Sequence, residues 1–379
     1  MPWEGGQIYV ANIHYNSNTH TLSLSNTKLV ASEANNLSVC YPLWASNDKL
    51  LFTSDESKFA NLWEYTQACT KPVLPSVVQQ DFCMPPWTFD NYSFTLLDKN
   101  GAKAICVVWQ AGQSVLYVVD IAAGSYVEIK DKLFDFVLVN NVCHLSDYTF
   151  IFTGFQSNAP GTAMLCTLTG PLFMPKFQVL RSTASASAAP LREGMISLPT
   201  PLEFKVVGDK TVYAMYYTPN NPAYAGLSIP NEKPPCVLSI HGGPTGLETQ
   251  CLNWLKQYFT SRGYTWLDVN YSSSSGYGHA YVEHLKGNWG ITDMSDCIGA
   301  IQSPQVSSLI NTKCTVICGR SAFTTLAAIS LDSSAASKVK FFASATNSFR
   351  ISNMEIFTLG STFLPFPQSK RPSFLVEHN

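Results

Sequence analysis

The 379-residue sequence predicts two structural units: a repeated all-β unit over residues 1–181 and an α/β unit with a mostly parallel sheet over residues 191–379. Three observations predict this. Tryptophans recur at a near-constant spacing among short strand-like runs in the first half. A small-residue stretch, Ser182-Thr-Ala-Ser-Ala-Ser-Ala-Ala-Pro190, reads as a linker over 182–190. Beyond it, apolar strand patterns alternate with helical ones, the signature of a parallel sheet with crossover helices.

In the first unit, runs rich in β-branched and aromatic residues (7–13, 50–53, 93–97, 104–109, 115–121 and 149–153) are separated by Asn, Asp, Gly and Pro clusters. Pro2-Trp3, Pro42-Leu-Trp44 and Pro86-Trp87 place tryptophans 41 and then 43 residues apart, and Asp55 and Asp98 each come eleven residues after theirs. A period of about 40–45 residues with four strands per repeat is that of propeller blades. Residues 1–181 hold about four such blades, a partial β-propeller. Because a propeller closes its ring to hide sheet edges, further blades are expected before Met1.

In the second unit, 202–207 and 211–217 form an antiparallel pair turned by Gly208-Asp209. Then come a strand at 237–240, a helix near 250–261, a strand at 265–269, a helix near 293–301 and a strand at 315–317.

Composition excludes several classes. With 46% hydrophobic and 13% charged residues the chain is globular rather than disordered, and its length gives each unit room for a core. A net charge of −2 without Lys/Arg runs argues against nucleic acid or an anionic membrane as partner. Eleven scattered cysteines, with no paired C-x-x-C, read as reduced thiols buried in apolar runs, among them Cys106, Cys236, Cys314 and Cys318. No metal spacing is present, and no cofactor is expected. The N-terminus lacks the pattern of a signal peptide, and no run reaches the ~18 apolar residues of a membrane span. The expected location is cytoplasmic.

The chemistry concentrates between Cys236 and Phe323. The strand Cys236-Val-Leu-Ser-Ile240 runs into His241-Gly-Gly-Pro-Thr-Gly246, a turn able to aim a backbone N–H at an oxyanion. The strand Cys314-Thr-Val-Ile-Cys318 runs into Gly319-Arg-Ser321-Ala322, the first four positions of the G-x-S-x-G turn that presents a nucleophile. Gly243 N–H and Ala322 N–H would be the oxyanion donors and Ser321 the nucleophile. Taken alone, the first motif reads equally as a Gly-Pro turn, and the second reads more readily as a helix N-cap before Thr324 than as a nucleophile turn. His241, His279 and His284 read as turn or surface residues. Asp293 and Asp296 read as residues that cap and open a helix.

Taken together, Pro234-Pro-Cys-Val-Leu-Ser-Ile-His-Gly-Gly-Pro-Thr245, Tyr258-Phe-Thr-Ser-Arg-Gly-Tyr264, Asp268-Val-Asn-Tyr271, Gly276-Tyr-Gly278 and Leu285-Lys-Gly-Asn-Trp-Gly290 resemble the prolyl oligopeptidase family of serine peptidases. The closest branch is that of the acylaminoacyl- and dipeptidyl-aminopeptidase-like enzymes. Upstream, Tyr41-Pro-Leu-Trp44, Phe52-Thr-Ser-Asp55 and Asn61-Leu-Trp63 resemble that branch's propeller. The resemblance implies a propeller gating an α/β-hydrolase domain that cleaves short peptides by acyl transfer through a serine.

The departures are as specific as the matches. The family reads Gly-x-Ser-Ala-Gly-Gly, whereas here Ala322 joins directly to Phe323-Thr-Thr. Loss of two helical residues turns the downstream chain by about 200° and shortens the helix by roughly 3 Å. The family's acid and base lie well beyond the nucleophile, but after Ser321 the only Asp is Asp332 and the only His is His378, and neither these nor Glu355 fit the pattern. Residues 358–379 read as an atypical tail, and the hydrolase unit as truncated. The expectation is therefore a serine peptidase by lineage with impaired or absent turnover. The alternatives are a non-catalytic derivative acting at most as a binding module, and a carboxylesterase on the same fold.

Overall fold

The computed structural model describes residues 5–84, 92–110, 112–131, 135–182, 194–206, 208–224, 231–243, 245–319 and 339–341. Trp3, Trp87 and the linker at 183–190 lie outside these residues.

Among the described residues of the first half every sheet is antiparallel. Strands β1 (Ile8–Asn16) and β2 (Thr21–Ala31) form a hairpin. A first four-stranded sheet comes next, of β3 (Val39–Ser46), β4 (Lys49–Ser54), β5 (Asn61–Tyr65) and β6 (Thr70–Pro72). The second holds β7 (Phe94–Leu96), β8 (Lys103–Gln110), β9 (Gln113–Asp120) and β10 (Ser125–Ile129). The third holds β11 (Leu138–Ser146), β12 (Thr149–Phe155), β13 (Thr162–Thr169) and β14 (Met174–Ser182). Each four-stranded sheet is a meander, its strands paired in chain order.

The sheets stack face to face because their central strands are apolar on both sides. In β8, Ala104, Cys106 and Val108 pack with Leu51 and Leu62 of the first sheet, while Ile105 and Val107 pack with Phe150, Phe152 and Met164 of the third. Strand β4 divides likewise: Leu50 and Phe52 join Ile8 and Val30 of the hairpin, and Leu51 turns to the second sheet. Strict alternation sends successive side chains to opposite faces, so a run apolar at every position suits a sheet buried on both. Among the described residues no core cluster joins the third sheet back to the hairpin, and no closed ring is seen.

The second half builds one six-stranded sheet in the order β15-β16-β18-β17-β19-β20. Its strands are β15 (Pro199–Val206), β16 (Lys210–Tyr217), β17 (Cys236–Ile240), β18 (Thr265–Asn270), β19 (Thr315–Gly319) and β20 (Val339–Phe341). The helices are α1 (Trp254–Thr260), α2 (His279–Glu283), α3 (Thr292–Gln302) and α4 (Pro304–Ser307). Strands β15 and β16 are antiparallel, turned by Gly208 and Asp209, both at positive φ (83° and 59°). From β18 to β20 the pairing is parallel. Every residue of β17 and β18 is buried, as a parallel sheet covered on both faces requires. One face packs Leu238, Ile240, Leu267 and Val269 against Cys297, Ala300 and Ile301 of α3. The other packs Val237, Trp266, Met215 and Tyr217 against Phe259 of α1.

All eleven cysteines are free thiols. Cys106 and Cys236 are buried as expected and Cys318 only partly so, but Cys314 is exposed, because it ends the Asn311–Cys314 turn that enters β19 rather than lying in the strand. Among the described residues no helix is long and apolar enough to cross a membrane.

Candidate active site

Strand order alone points to one place. From β17 the chain crosses to β18 on one side and later to β19 on the other, so β17 is where the winding reverses. Loops leaving neighbouring strands there diverge and open a crevice at their carboxyl ends. Strands β17 and β19 are parallel and in register, with Ile240 beside Gly319. The glycine loop begins one residue after Ile240, and Arg320 comes directly after Gly319. Ser321 and Ala322 lie outside the described residues, as do Asp332, Glu355 and His378.

The described residues of the glycine loop are tied down beyond Gly243. Gly243 has φ 76°, a conformation that favours glycine, and its N–H has no acceptor among the described residues. A Cβ on Gly246 would stand 2.4 Å from Gly242 O and 3.1 Å from His241 Nδ1, so the loop closes on itself only with glycine there. The segment after β18 holds it from below. Ser275 N donates to Gly246 O (3.1 Å) and Ser275 Oγ to Thr245 O (2.7 Å). Asn270 clamps Glu248, accepting from its N–H at 2.9 Å and donating to its carbonyl at 3.3 Å.

His241 departs from the expectation of a turn or surface residue: it is buried. Its ring stacks on Tyr271 (centroids 4.5 Å apart, planes at 14°), whose hydroxyl donates to His241 O at 3.0 Å. Nε2 lies 2.8 Å from Ser274 Oγ and Nδ1 3.1 Å from Gly242 O. Burial, against the pull of Gly242 O, pushes the imidazole down to about 4, so it is neutral at pH 7. Ser274 is fully buried and donates to Tyr271 O at 2.7 Å. The Ser274–His241 pair is thus a structural tie beneath the glycine loop, with no access for a substrate.

A second network was not evident from the sequence. Lys256 of α1 is buried with Nζ 2.5 Å from Asp268 Oδ2 and 3.1 Å from Glu248 Oε2, and Trp266 Nε1 donates to Asp268 Oδ1 at 2.7 Å. Burial opposes the charge on Lys256, but Asp268 and Glu248 outweigh it and hold the amine above the usual lysine range. The lysine therefore joins α1, β18 and the end of the glycine loop. The signal was present in Thr265-Trp-Leu-Asp-Val-Asn270, where a lone carboxylate sits inside an apolar strand and must find a cation.

Asp296 and His279 have structural partners. Asp293 lies in the first turn of α3, as its sequence context predicts. Asp296 lies deeper in that helix, fully buried; it pairs with Lys210 and accepts from Ser272 N at 2.8 Å, pinning the turn after β18. His284 is exposed, as its sequence context predicts, and the part of its ring that is covered lowers it below its ordinary value. His279 bridges to the first sheet: Nδ1 is 2.5 Å from Asp55 Oδ2.

Comparison with known proteins gives similarities of three kinds. A profile of the prolyl oligopeptidase family matches residues 250–364, which include Ser321, begin after the glycine loop, and reach seven residues into the stretch read as an atypical tail. The chain is 30% identical over 122 residues to dipeptidyl aminopeptidase BIII of Pseudoxanthomonas mexicana, covering 31% of this chain and 17% of that protein. It is 34% identical over 67 residues to an acylamino-acid-releasing enzyme of Arabidopsis thaliana, covering 18% and 9%. In structure it is similar to a puromycin-hydrolyzing peptidase of Mycobacterium tuberculosis, with a TM-score of 0.76, 26% identity, and coverage of 91% of this chain and 50% of that one. The chain thus spans half the length of that structure. The resemblance to the prolyl oligopeptidase family read from the motifs is shown by these matches, and it is a resemblance to peptidases.

Proposed function

We propose that this chain carries, in impaired form, the chemistry of a serine peptidase of the prolyl oligopeptidase family, acting on short peptides. Ser321 Oγ is the nucleophile that attacks the scissile carbonyl, and Gly243 N–H and Ala322 N–H receive the developing oxyanion. The proton leaving Ser321 needs a base, and no residue of the chain is assigned to that role or to that of the orienting acid. The stacked four-stranded sheets are read as propeller blades (1–181) and the six-stranded sheet as that of an α/β-hydrolase (191–379). The free thiols support a reducing, cytoplasmic setting.

One observation carries the reading: β17 and β19 run parallel and in register, so the glycine loop and the residues leading to Ser321 leave the sheet at neighbouring points. Gly243 N–H, which has no acceptor among the described residues, supports it. A second reading, a non-catalytic derivative, is favoured by Phe323 standing where the family has glycine. Labelling the full chain with a fluorophosphonate separates the two. Slow labelling that is lost in Ser321→Ala, and speeds up when two glycines are inserted between Ala322 and Phe323, is expected of the impaired peptidase. Absence of Ser321-dependent labelling in both forms would sink the catalytic reading and leave the non-catalytic one.

A further inference from the structure

Where the six-stranded sheet meets the first antiparallel sheet, the contact is polar and built around one histidine. The turn entering α2 is pressed onto the β4–β5 turn. Gly278 N donates to the buried Asp81 Oδ2 at 3.0 Å, and His279 N donates to Lys58 O at 2.8 Å. The His279 ring then reaches Asp55 Oδ2 with Nδ1 (2.5 Å) and Glu283 Oε2 with Nε2 (3.3 Å). Asp55 and His279 are 224 residues apart in sequence. A cavity of about 50 Å³ lies against them, lined also by Ser38, Cys83 and Ser275.

We propose that His279 is a pH-sensitive latch: as the imidazolium it fastens the α2 segment to the β4–β5 turn, and as neutral imidazole it lets that contact open. Two carboxylates face its two ring nitrogens, and only the imidazolium donates to both, so the geometry selects the charged form. The groups around the ring are Asp55 from the β4–β5 turn, Asp81 and Cys83 from the segment after β6, and Glu283 on its own helix with Lys286 behind it. The Asp55 carboxylate, outweighing partial burial, holds His279 above its ordinary 6.5. Lys286 and then His279 hold Glu283 below the usual carboxylate range, so it stays anionic. Burial keeps the Cys83 thiol neutral.

The raised value fixes the sign. The pairing stabilises the closed contact fully below pH 6.5 and is lost as pH climbs through the raised value. Burial raises Asp81 too, against the Ala60 and Gly278 amides that favour its charged form, so Asp81 is a second titrating group at this contact. A histidine-free variant separates the two. The latch does not depend on the peptidase reading, and its test uses no activity.

Amide hydrogen exchange of the full chain, corrected for intrinsic rates, is measured at 55–60 and 276–283 between pH 6 and 9. Protection of both segments is expected to fall together, by about tenfold for each pH unit by which His279 is raised. His279→Gln should remove that fall, and His279→Arg should keep protection high throughout. An NMR titration of the His279 ring in the unmutated chain gives a second reading that needs no variant. A midpoint at or below 6.5, or a fall retained in His279→Gln, overturns the latch.

Discussion

Burial of the His241 imidazole between Tyr271 and Ser274 gives the glycine loop a pH limit of its own. The ring is neutral when folded, with its value pushed down to about 4, whereas in the unfolded chain it returns to 6.5. The unfolded state therefore binds the extra proton, and folding stability falls as pH drops from 6.5 towards 4. A displacement of that size corresponds to about 3 kcal/mol once the acid limit is reached. Urea denaturation of wild type and His241→Gln at pH 7 and pH 4 checks this. The variant should lose about 3 kcal/mol less between the two, and parallel losses would remove His241 as the cause. The role was hidden in the sequence because His-Gly-Gly-Pro reads as a turn. Tyr271, thirty residues on, stacks on the ring, and Ser274 Oγ meets its Nε2.

At the scale of elements, α1, β18 and the glycine loop meet on Lys256. Replacing it with methionine keeps the apolar stem but leaves Asp268 buried without a cation. Breaking a buried pair in this way costs about 3–5 kcal/mol, more than the pair itself contributes. Lys256→Met should lose that much in urea denaturation, and Lys256→Met with Asp268→Leu should recover most of it. A double variant as unstable as the single one would show that packing, not the stranded charge, sets the cost. What was legible at this scale was whatever the local pattern dictates. Gly208-Asp209 marked its hairpin, and the β-branched runs of β17, β18 and β19 were placed to within two residues. Helix α1 starts later than its apolar pattern suggested, because the Asn253 side chain caps Leu255 N and Lys256 N. Strands β2 and β14 escaped notice because both are largely exposed, carry polar residues throughout, and in β14 include Pro175. Helix α2, at five residues, is too short to show a period.

Across the whole molecule, the antiparallel sheets and the six-stranded sheet meet through contacts that no local pattern announces. Asp81 reaches Gly278 N, Leu252 N donates to Gln156 O at 2.9 Å, and Gly112 lies against Met215 and Tyr277. At Gly278 the close neighbours are an aromatic ring and a backbone oxygen, whereas Gly112 faces the flexible end of Met215. The φ of 86° with ψ of 166° at Gly278 falls in a region essentially closed to residues with a Cβ. An added Cβ would also stand 2.8 Å from the Phe59 ring and 3.1 Å from Lys58 O. Gly278→Ala should therefore cost about 1–3 kcal/mol from the backbone alone, and more from the clash. Gly263 supplies the control: its φ is +88°, but an added Cβ would meet nothing within 4 Å. In urea denaturation Gly278→Ala should lose clearly more stability than Gly263→Ala, and it should raise exchange at 55–60, across the interface, where Gly263→Ala leaves it unchanged. If the two variants lose equal stability and neither alters exchange at 55–60, the α2 turn does not hold the sheets together.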